Sequence, residues 1–316
     1  MKFPKLLIIP VATLLLSGCI LNGGGGGGGG GGDSTKVKKD DYYDTNEYRL
    51  NDTTGNALQI ELHRLMLDTH KHLIKYSQFS SYIKTNSERS TSIDQVNATT
   101  AKNEFFYTGK QNNFSASMTR EHVWPCAKSG GLWVHSNYTD IKYYVDGSNY
   151  VGGGSDLYHV RPCTSKVNTA RGDSRFKEFT DEEKKSGNLI SMSDGGPYNL
   201  LCDKEEYSTY SEPANEFKGD IARILVYVYI HYSKMGGYNW DDYCGGLSLR
   251  DVMGYTTDLE VYQTLVKWNE LDPVSETEKL RNETVQKIQG NRNPFVDYPF
   301  LMRKCLNVAK TTTTTE

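Results

Sequence analysis

The chain predicts an α+β domain, mainly helical, folded around a small antiparallel unit. Apolar residues recur at helical spacing over residues 58–76, 220–232, 258–271 and 275–289, whereas strand-like segments are few and short. No internal repeat of fixed period breaks the stretch 56–306, which is long enough for one domain with its own core.

The first 55 residues are expected to lie outside that domain. Lys2 and Lys5 precede an apolar run, residues 6–16, too short for a membrane span and of the length of a signal-peptide core. Leu16-Ser17-Gly18-Cys19 resembles the lipobox of bacterial lipoproteins. Residues 1–19 then form a leader ending at Cys19, which becomes the lipidated N-terminus; the alternative is a secretory leader with an incidental cysteine. Either reading exports the protein, and the first anchors it to the bacterial cell surface or an envelope membrane through the lipid alone. Ten glycines at 23–32 have no side chains to bury, so residues 20–55 are expected to be a flexible tether. The glycine run adds on the order of 15 to 20 Å of reach, and the polar stretch 33–52 extends it. Residues 307–316, with their threonine run, form a low-complexity tail.

Within the domain, Leu58, Leu62, Leu65, Leu73 and Tyr76 line one face of the first helix. Ile221, Ile224, Leu225, Val228 and Tyr229 give 220–232 the pattern of a buried helix, and Pro273 separates the two C-terminal ones. The Gly- and Tyr-rich stretch 130–154 reads as an irregular connection; long loops of this kind are functional or disordered.

The formal net charge is −3, or about −5 once Lys2 and Lys5 leave with the leader, so the overall balance does not point to a polyanion partner. Mean hydropathy of −0.61 and 22 tyrosines suit a wet, extracellular globular protein and argue against a membrane enzyme. The charge is uneven, however. Arg161, Lys166, Arg171, Arg175 and Lys177 crowd around Asn168 with only Asp173 opposing them, a local patch suited to following a phosphate backbone.

Two segments carry the chemistry. Arg120-Glu121-His122-Val123-Trp124-Pro125 puts a histidine beside a carboxylate on an extended stretch. Asp156-Leu157-Tyr158-His159-Val160-Arg161-Pro162 is a second such stretch, followed by the basic, helical-looking run Ser165-Lys166-Val167-Asn168-Thr169-Ala170-Arg171-Gly172. His122 brings a nitrogen whose ordinary pKa of about 6.5 leaves it neutral and basic at physiological pH. Glu121 and Asn168 offer oxygen ligands for a hard cation such as Mg²⁺, with Ca²⁺ or Mn²⁺ as alternatives. A base for water, a cation for the phosphate and contacts for the strand are what metal-assisted phosphodiester cleavage requires. Adjacent residues of a regular strand point to opposite faces, so Glu121 and His122 can serve one centre only where the strand ends or twists, as Pro125 suggests. A Glu-His pair by itself is more often an ordinary strand histidine beside a solvent-facing acid, and Asn168 could be a helix cap.

These blocks, together with Gly290-Asn291-Arg292-Asn293-Pro294-Phe295-Val296-Asp297, resemble the bacterial endonuclease I family of secreted and periplasmic nucleases, over about residues 58–303. Three blocks in the right order outweigh a chance match of any one. The resemblance implies a ββα-metal, or His-Me finger, unit in which His122 is the general base and Glu121 and Asn168 are the metal ligands. It also implies a largely sequence-nonspecific endonuclease that cuts DNA, and RNA with it, to 5′-phosphate ends, with nucleic acid and no protein as its partner. The loop arginine of some members has no counterpart in residues 127–155, where Lys128 and Lys142 are the cations, so Arg161 or Arg171 is assigned the catalytic phosphate contact. Arg120, Lys166 and Arg175 are candidate substrate-binding residues, as is His159, for which a structural role weighs equally. The 290–297 block is assigned no chemistry. A non-catalytic surface lipoprotein that holds DNA for adhesion or uptake is the rival reading, against which the intact Glu121 and His122 weigh.

The cysteines depart from the family. His122 to Cys126 and His159 to Cys163 share one spacing, which would suit a zinc site. The repeat lacks the usual Cys-x₂-Cys spacing, and exported thiols tend to oxidise, so a disulfide between Cys126 and Cys163 is the favoured expectation. Cys202, Cys244 and Cys305 remain, and five cysteines besides Cys19 cannot all pair within one chain.

Overall fold

A computed structural model describes residues 36–83, 95–97, 102–112, 118–126, 152–204, 206, 208–233 and 247–309. The leader with Cys19, the glycine tether, Lys128, Lys142, Cys244 and the tail from residue 310 lie outside the described residues.

Among the described residues, α1 (Gly55–Thr69) and the short α2 (Phe79–Ile83) precede an antiparallel sheet of β1 (Gln95–Asn97), β2 (Lys102–Phe105) and β3 (Lys110–Asn112). β4 (Met118–His122) and β5 (Val160–Thr164) pair as an antiparallel ribbon, in register from Met118 opposite Thr164 to His122 opposite Val160, and α3 (Ser165–Arg171) follows at once. Next come β6 (Arg175–Phe176), α4 (Asp181–Lys185), β7 (Ile190–Met192), β8 (Leu200–Cys202) and β9 (Tyr210–Pro213). Their strands lie in the order β6-β9-β8-β7, with β6 parallel to β9. The C-terminal part is helical, with α5 (Asn215–Tyr232), α6 (Leu249–Val252), α7 (Asp258–Leu271), α8 (Glu276–Gln289), α9 (Pro294–Asp297) and α10 (Phe300–Cys305). Helices with short strands make the α+β class expected from the sequence.

α5 is enclosed on nearly every side, with Ile221, Ala222, Leu225, Val226, Tyr227 and Val228 wholly buried, because α1 and α7 pack against it. A helix covered in this way has to satisfy its polar residues internally. Arg223 donates to both carboxylate oxygens of Glu278 at 2.7 and 2.8 Å, and Lys218 donates to Glu212 at 2.9 Å.

The starts of α7 and α8 follow from their sequences. Thr257 and Ser275 accept from the main-chain N–H three residues on, while Glu260 and Glu278 reach back to the caps. α1 is shorter than its apolar pattern, which runs to Tyr76. The chain leaves the helix at His70, and the main-chain N–H groups of Lys71 and His72 donate instead to the Gln289 carbonyl at the end of α8, at 2.8 and 3.1 Å. The expected tether also ends earlier than residue 55. Val37, Tyr43, Tyr48 and Leu50 are buried, and the Tyr43 hydroxyl donates to Asp297 at 2.5 Å.

Gly290, at φ 97°, joins α8 to the turn beyond it, and a Cβ there would sit 2.4 Å from the Thr69 carbonyl oxygen. Urea unfolding of Gly290→Ala is expected to show a loss of more than about 2 kcal/mol. Gly187→Ala, where φ is also positive but nothing lies within 4 Å, should lose roughly 1 kcal/mol. Equal losses would assign no role to the Thr69 contact.

Candidate active site

β4 ends at His122, so Glu121 and His122 are not held to opposite faces of a continuing strand. Glu121 turns inward and is 1% exposed, whereas His122 is half-buried. The Tyr107 hydroxyl donates to Glu121 Oε1 at 2.6 Å, and Arg171 Nη1 lies 3.3 Å from the same oxygen. No described residue donates to the second oxygen of Glu121. Burial pushes the Glu121 carboxyl up from its ordinary range, while the Arg171 charge and the Tyr107 hydroxyl oppose that rise.

Asn168 lies inside α3, whose N-cap is Thr164, so it is not a helix cap. Its Nδ2 donates to Thr119 Oγ1 at 3.0 Å and to the Arg120 carbonyl at 3.4 Å. With the amide nitrogen committed to β4, Oδ1 is the atom left to act as a ligand. One turn on, Arg171 reaches Glu121, so α3 brings Asn168 and Glu121 to one side of the ribbon. A carboxylate and an amide oxygen, each with its other polar atom tied down, form a donor set that fits a hard divalent cation retaining several waters.

His122 Nε2 lies 2.8 Å from the Gly154 carbonyl, which can only accept, so the proton sits on Nε2 and the basic lone pair on Nδ1. The ring stacks on Tyr76 with centroids 5.7 Å apart, and Arg120, two residues back on β4, lays its guanidinium over the same ring at 4.1 Å. Burial first, then the neighbouring His159, Arg171 and Arg120, push the His122 pKa down to about 3. The imidazole is therefore neutral at physiological pH.

Other expected residues fall elsewhere. Arg171 is not a solvent-facing phosphate contact. It is 1% exposed, and besides Glu121 it donates to the carbonyls of His122 at 3.1 Å, Gly172 at 3.2 Å and Val123 at 2.7 Å, with its guanidinium over Phe176. Arg161 packs over Phe106 and lines a cavity with Asp220, Glu278 and Arg281, where its charge acts on the Asp220 carboxylate. His159 is wholly buried, its Nδ1–H donating to the Gly153 carbonyl at 2.6 Å and its Nε2 accepting from the Trp124 main chain at 2.9 Å, so both ring nitrogens are engaged within the fold. Lys166 is exposed on α3, Arg175 is exposed on β6, and Arg120 is half-buried.

The expected disulfide is absent, since Cys126 and Cys163 are both free thiols. Cys163 lies on β5 opposite Thr119, and Cys126 follows the end of β4 at His122. Among the described residues, His122, Cys126, His159 and Cys163 do not gather their ligand atoms as a zinc site would. Among the described residues, His70, Asp156 and His231 bring ligand atoms within 4.8 Å of one another, all buried. The carboxylate is engaged by neutral donors, and the two histidines by each other. Asp156 Oδ1 accepts from the Tyr158 main chain at 2.7 Å and Gln289 Nε2 at 3.1 Å, and Oδ2 accepts from the Tyr227 and Tyr232 hydroxyls, both at 2.7 Å. These occupy the carboxylate's four lone-pair positions. His70 Nδ1 and His231 Nε2 are bonded to each other at 3.0 Å, and burial holds His70 down at about 4 and His231 well below the ordinary range.

Tyr76, Tyr107 and Gly154 are residues that sequence reasoning missed. A tyrosine in a chain with 22 of them carries no signal, and Gly154 sits in a glycine cluster that reads only as an irregular connection. Arg171→Met would leave Glu121 buried without its counter-charge. Unfolding in urea should then report a loss of about 3 to 5 kcal/mol, with Tyr107→Phe losing about 1 kcal/mol; a stable Arg171→Met protein would contradict the buried pairing.

The sequence profile of one family, Endonuclease I, matches residues 54–300. An extracellular ribonuclease of Bacillus amyloliquefaciens is 33% identical over 253 residues, covering 78% of this chain and 72% of that protein. An extracellular ribonuclease of Bacillus subtilis (strain 168) is 31% identical over 267 residues, covering 82% and 76%. The matched stretch contains the ribbon, α3 and every residue that surrounds Glu121, His122 and Asn168, and the chain accordingly belongs to the endonuclease I family of nucleases.

Proposed function

We propose that this chain is an exported, metal-dependent endonuclease in which β4, β5 and α3 act as a ββα-metal unit of the His-Me finger type. One observation carries the reading: two oxygen donors, Glu121 and Asn168, are fixed to the end of the same strand as a neutral histidine whose proton sits on Nε2. A divalent cation such as Mg²⁺ held by Glu121 and Asn168 would supply charge stabilisation at the scissile phosphate.

The chain's own residues do the rest. His122 Nδ1 takes the proton of the attacking water, while the Gly154 carbonyl and the Tyr76 face keep the ring in that tautomer and orientation. Arg120 and Lys166, with Arg175 further along, supply positive charge for the backbone of the bound strand. Arg171 acts from inside, holding the Glu121 carboxylate and the carbonyl of His122 together. Attack by water needs no ribose 2′-hydroxyl, so DNA and RNA are both substrates; the P–O3′ bond breaks, the 3′-oxygen leaves and takes up a proton from solvent, and the products carry 5′-phosphates. The naming of both relatives as extracellular ribonucleases supports RNA among them, and supports export. No helix of the described residues is long and apolar enough to cross a membrane. The lipid on Cys19 is the proposed anchor, with residues 23–32 as its tether.

Supercoiled plasmid and a single-stranded RNA should both be cut in Mg²⁺ and left intact in excess EDTA, with activity restored by Mg²⁺, Ca²⁺ or Mn²⁺. His122→Ala should lower kcat by about 100- to 10,000-fold while retaining a gel shift. Undiminished cutting in EDTA would remove the metal from the mechanism, and a His122→Ala protein as fast as the parent would remove the base. Cys19→Ser should release the protein from the cell envelope into the medium.

A further inference from the structure

The turn Gly153–Ser155 touches the base from two directions. Its Gly154 carbonyl receives His122 Nε2–H at 2.8 Å, and its Ser155 hydroxyl donates to the Ile74 carbonyl at 2.6 Å, two residues before the Tyr76 ring on which His122 stacks. The edge and the face of the imidazole are thus referred to one three-residue turn. Two of those residues are glycines, which bring no side chain of their own to hold the turn in place.

What holds it is the next residue. Asp156 is 2% exposed and its side chain is met from three directions: by the Tyr227 and Tyr232 hydroxyls of α5, by Gln289 at the end of α8, and by the Tyr158 main chain. Its carbonyl accepts the N–H groups of His159 and Val160, at 3.1 and 2.9 Å, and so also sets the start of β5. Gln289 closes the arrangement by accepting from the Leu157 main chain at 2.7 Å. The four donors to the Asp156 carboxylate are all neutral groups, and Glu121, His122 and Asn168 are not among them.

We propose that Asp156 is a positioning residue for the nuclease reaction: anchored on α5 and α8, it fixes the turn whose Gly154 carbonyl sets the tautomer and orientation of His122. The inference rests on His122 being the base. A carboxylate suits this post because it accepts four hydrogen bonds at once, which a neutral amide cannot do. In Asp156→Asn the amide nitrogen faces either the Tyr158 and Gln289 N–H groups, losing both bonds, or the two hydroxyls, which must then turn their protons elsewhere to accept from it.

The test uses the full-length protein with Mg²⁺ and a plasmid substrate, and compares Asp156→Asn with the milder Tyr232→Phe. Misplacement of a group that orients a reacting residue typically costs about 10- to 100-fold; Asp156→Asn is expected to lower kcat by that factor with KM unchanged, and Tyr232→Phe to lower it several-fold. ¹⁵N spectra of histidine-labelled protein, with the His122 signals identified by their loss in His122→Ala, should show the Nε2–H tautomer alone in the parent and a mixture in the variants. If both variants fold, keep the parent kcat per folded molecule and keep the single tautomer, the proposal is wrong. If Asp156→Asn does not fold, Tyr232→Phe decides by the same two readouts. A His122→Ala protein that cuts normally would instead overturn the base assignment, and the tautomer signal, which does not depend on turnover, keeps the two failures apart.

Discussion

A buried guanidinium joins the helix to the strand end, and the geometry of the centre depends on it. Arg171 binds the Glu121 carboxylate together with the carbonyls of His122 and Val123, so one side chain of α3 holds both sides of the point where β4 stops. Buried charges cannot be left alone, because their attraction and their desolvation cost are both large away from water. Glu121 is compensated from within through one oxygen, and the helix that brings the compensating charge also brings Asn168. The same residue type in solvent would have contacted phosphate. Here the surrounding Phe176, Tyr107 and strand carbonyls convert it into a clamp.

Around this clamp the protein relies on neutral groups. His122, His159, His70 and His231 are all held uncharged by burial, and each has a ring nitrogen tied to a carbonyl, a main-chain N–H or another imidazole. Neutral imidazoles can sit close together without mutual repulsion, which allows His122 and His159 to pack with ring centroids 5.6 Å apart. Tyrosine hydroxyls play the corresponding part for the carboxylates Glu121, Asp156 and Asp297. A tyrosine-rich chain with a negative net charge is therefore not at odds with a phosphate-handling site, since the positive charge that meets a nucleic acid need only be local.

Much of the framework was legible in the sequence. α7 and α8 begin where Thr257 and Ser275 can cap them, and α5 covers the apolar run 220–232 with five further residues at its start. The ribbon and its following helix are also where residues 120–125 and 156–172 suggest. Local periodicity and cap chemistry are properties of neighbouring residues, and they survive folding. What they missed are effects of distant partners: Gln289 draws the chain out of α1 after Thr69, and Tyr43 takes the stretch once expected to be tether into contact with Asp297.

Sequence by itself determined the residue types and their order, a histidine next to a carboxylate and an asparagine in the helix after the second strand, together with the family they resemble. Only the tertiary structure decided which arginine does what and whether the cysteines meet. A side chain's role follows from what surrounds it, and Arg161 and Arg171, ten residues apart, were packed against different partners: one over Phe106 in a cavity that Asp220 and Glu278 also line, the other against Glu121 and the end of β4. The fold did the same for Cys126 and Cys163, leaving both as free thiols.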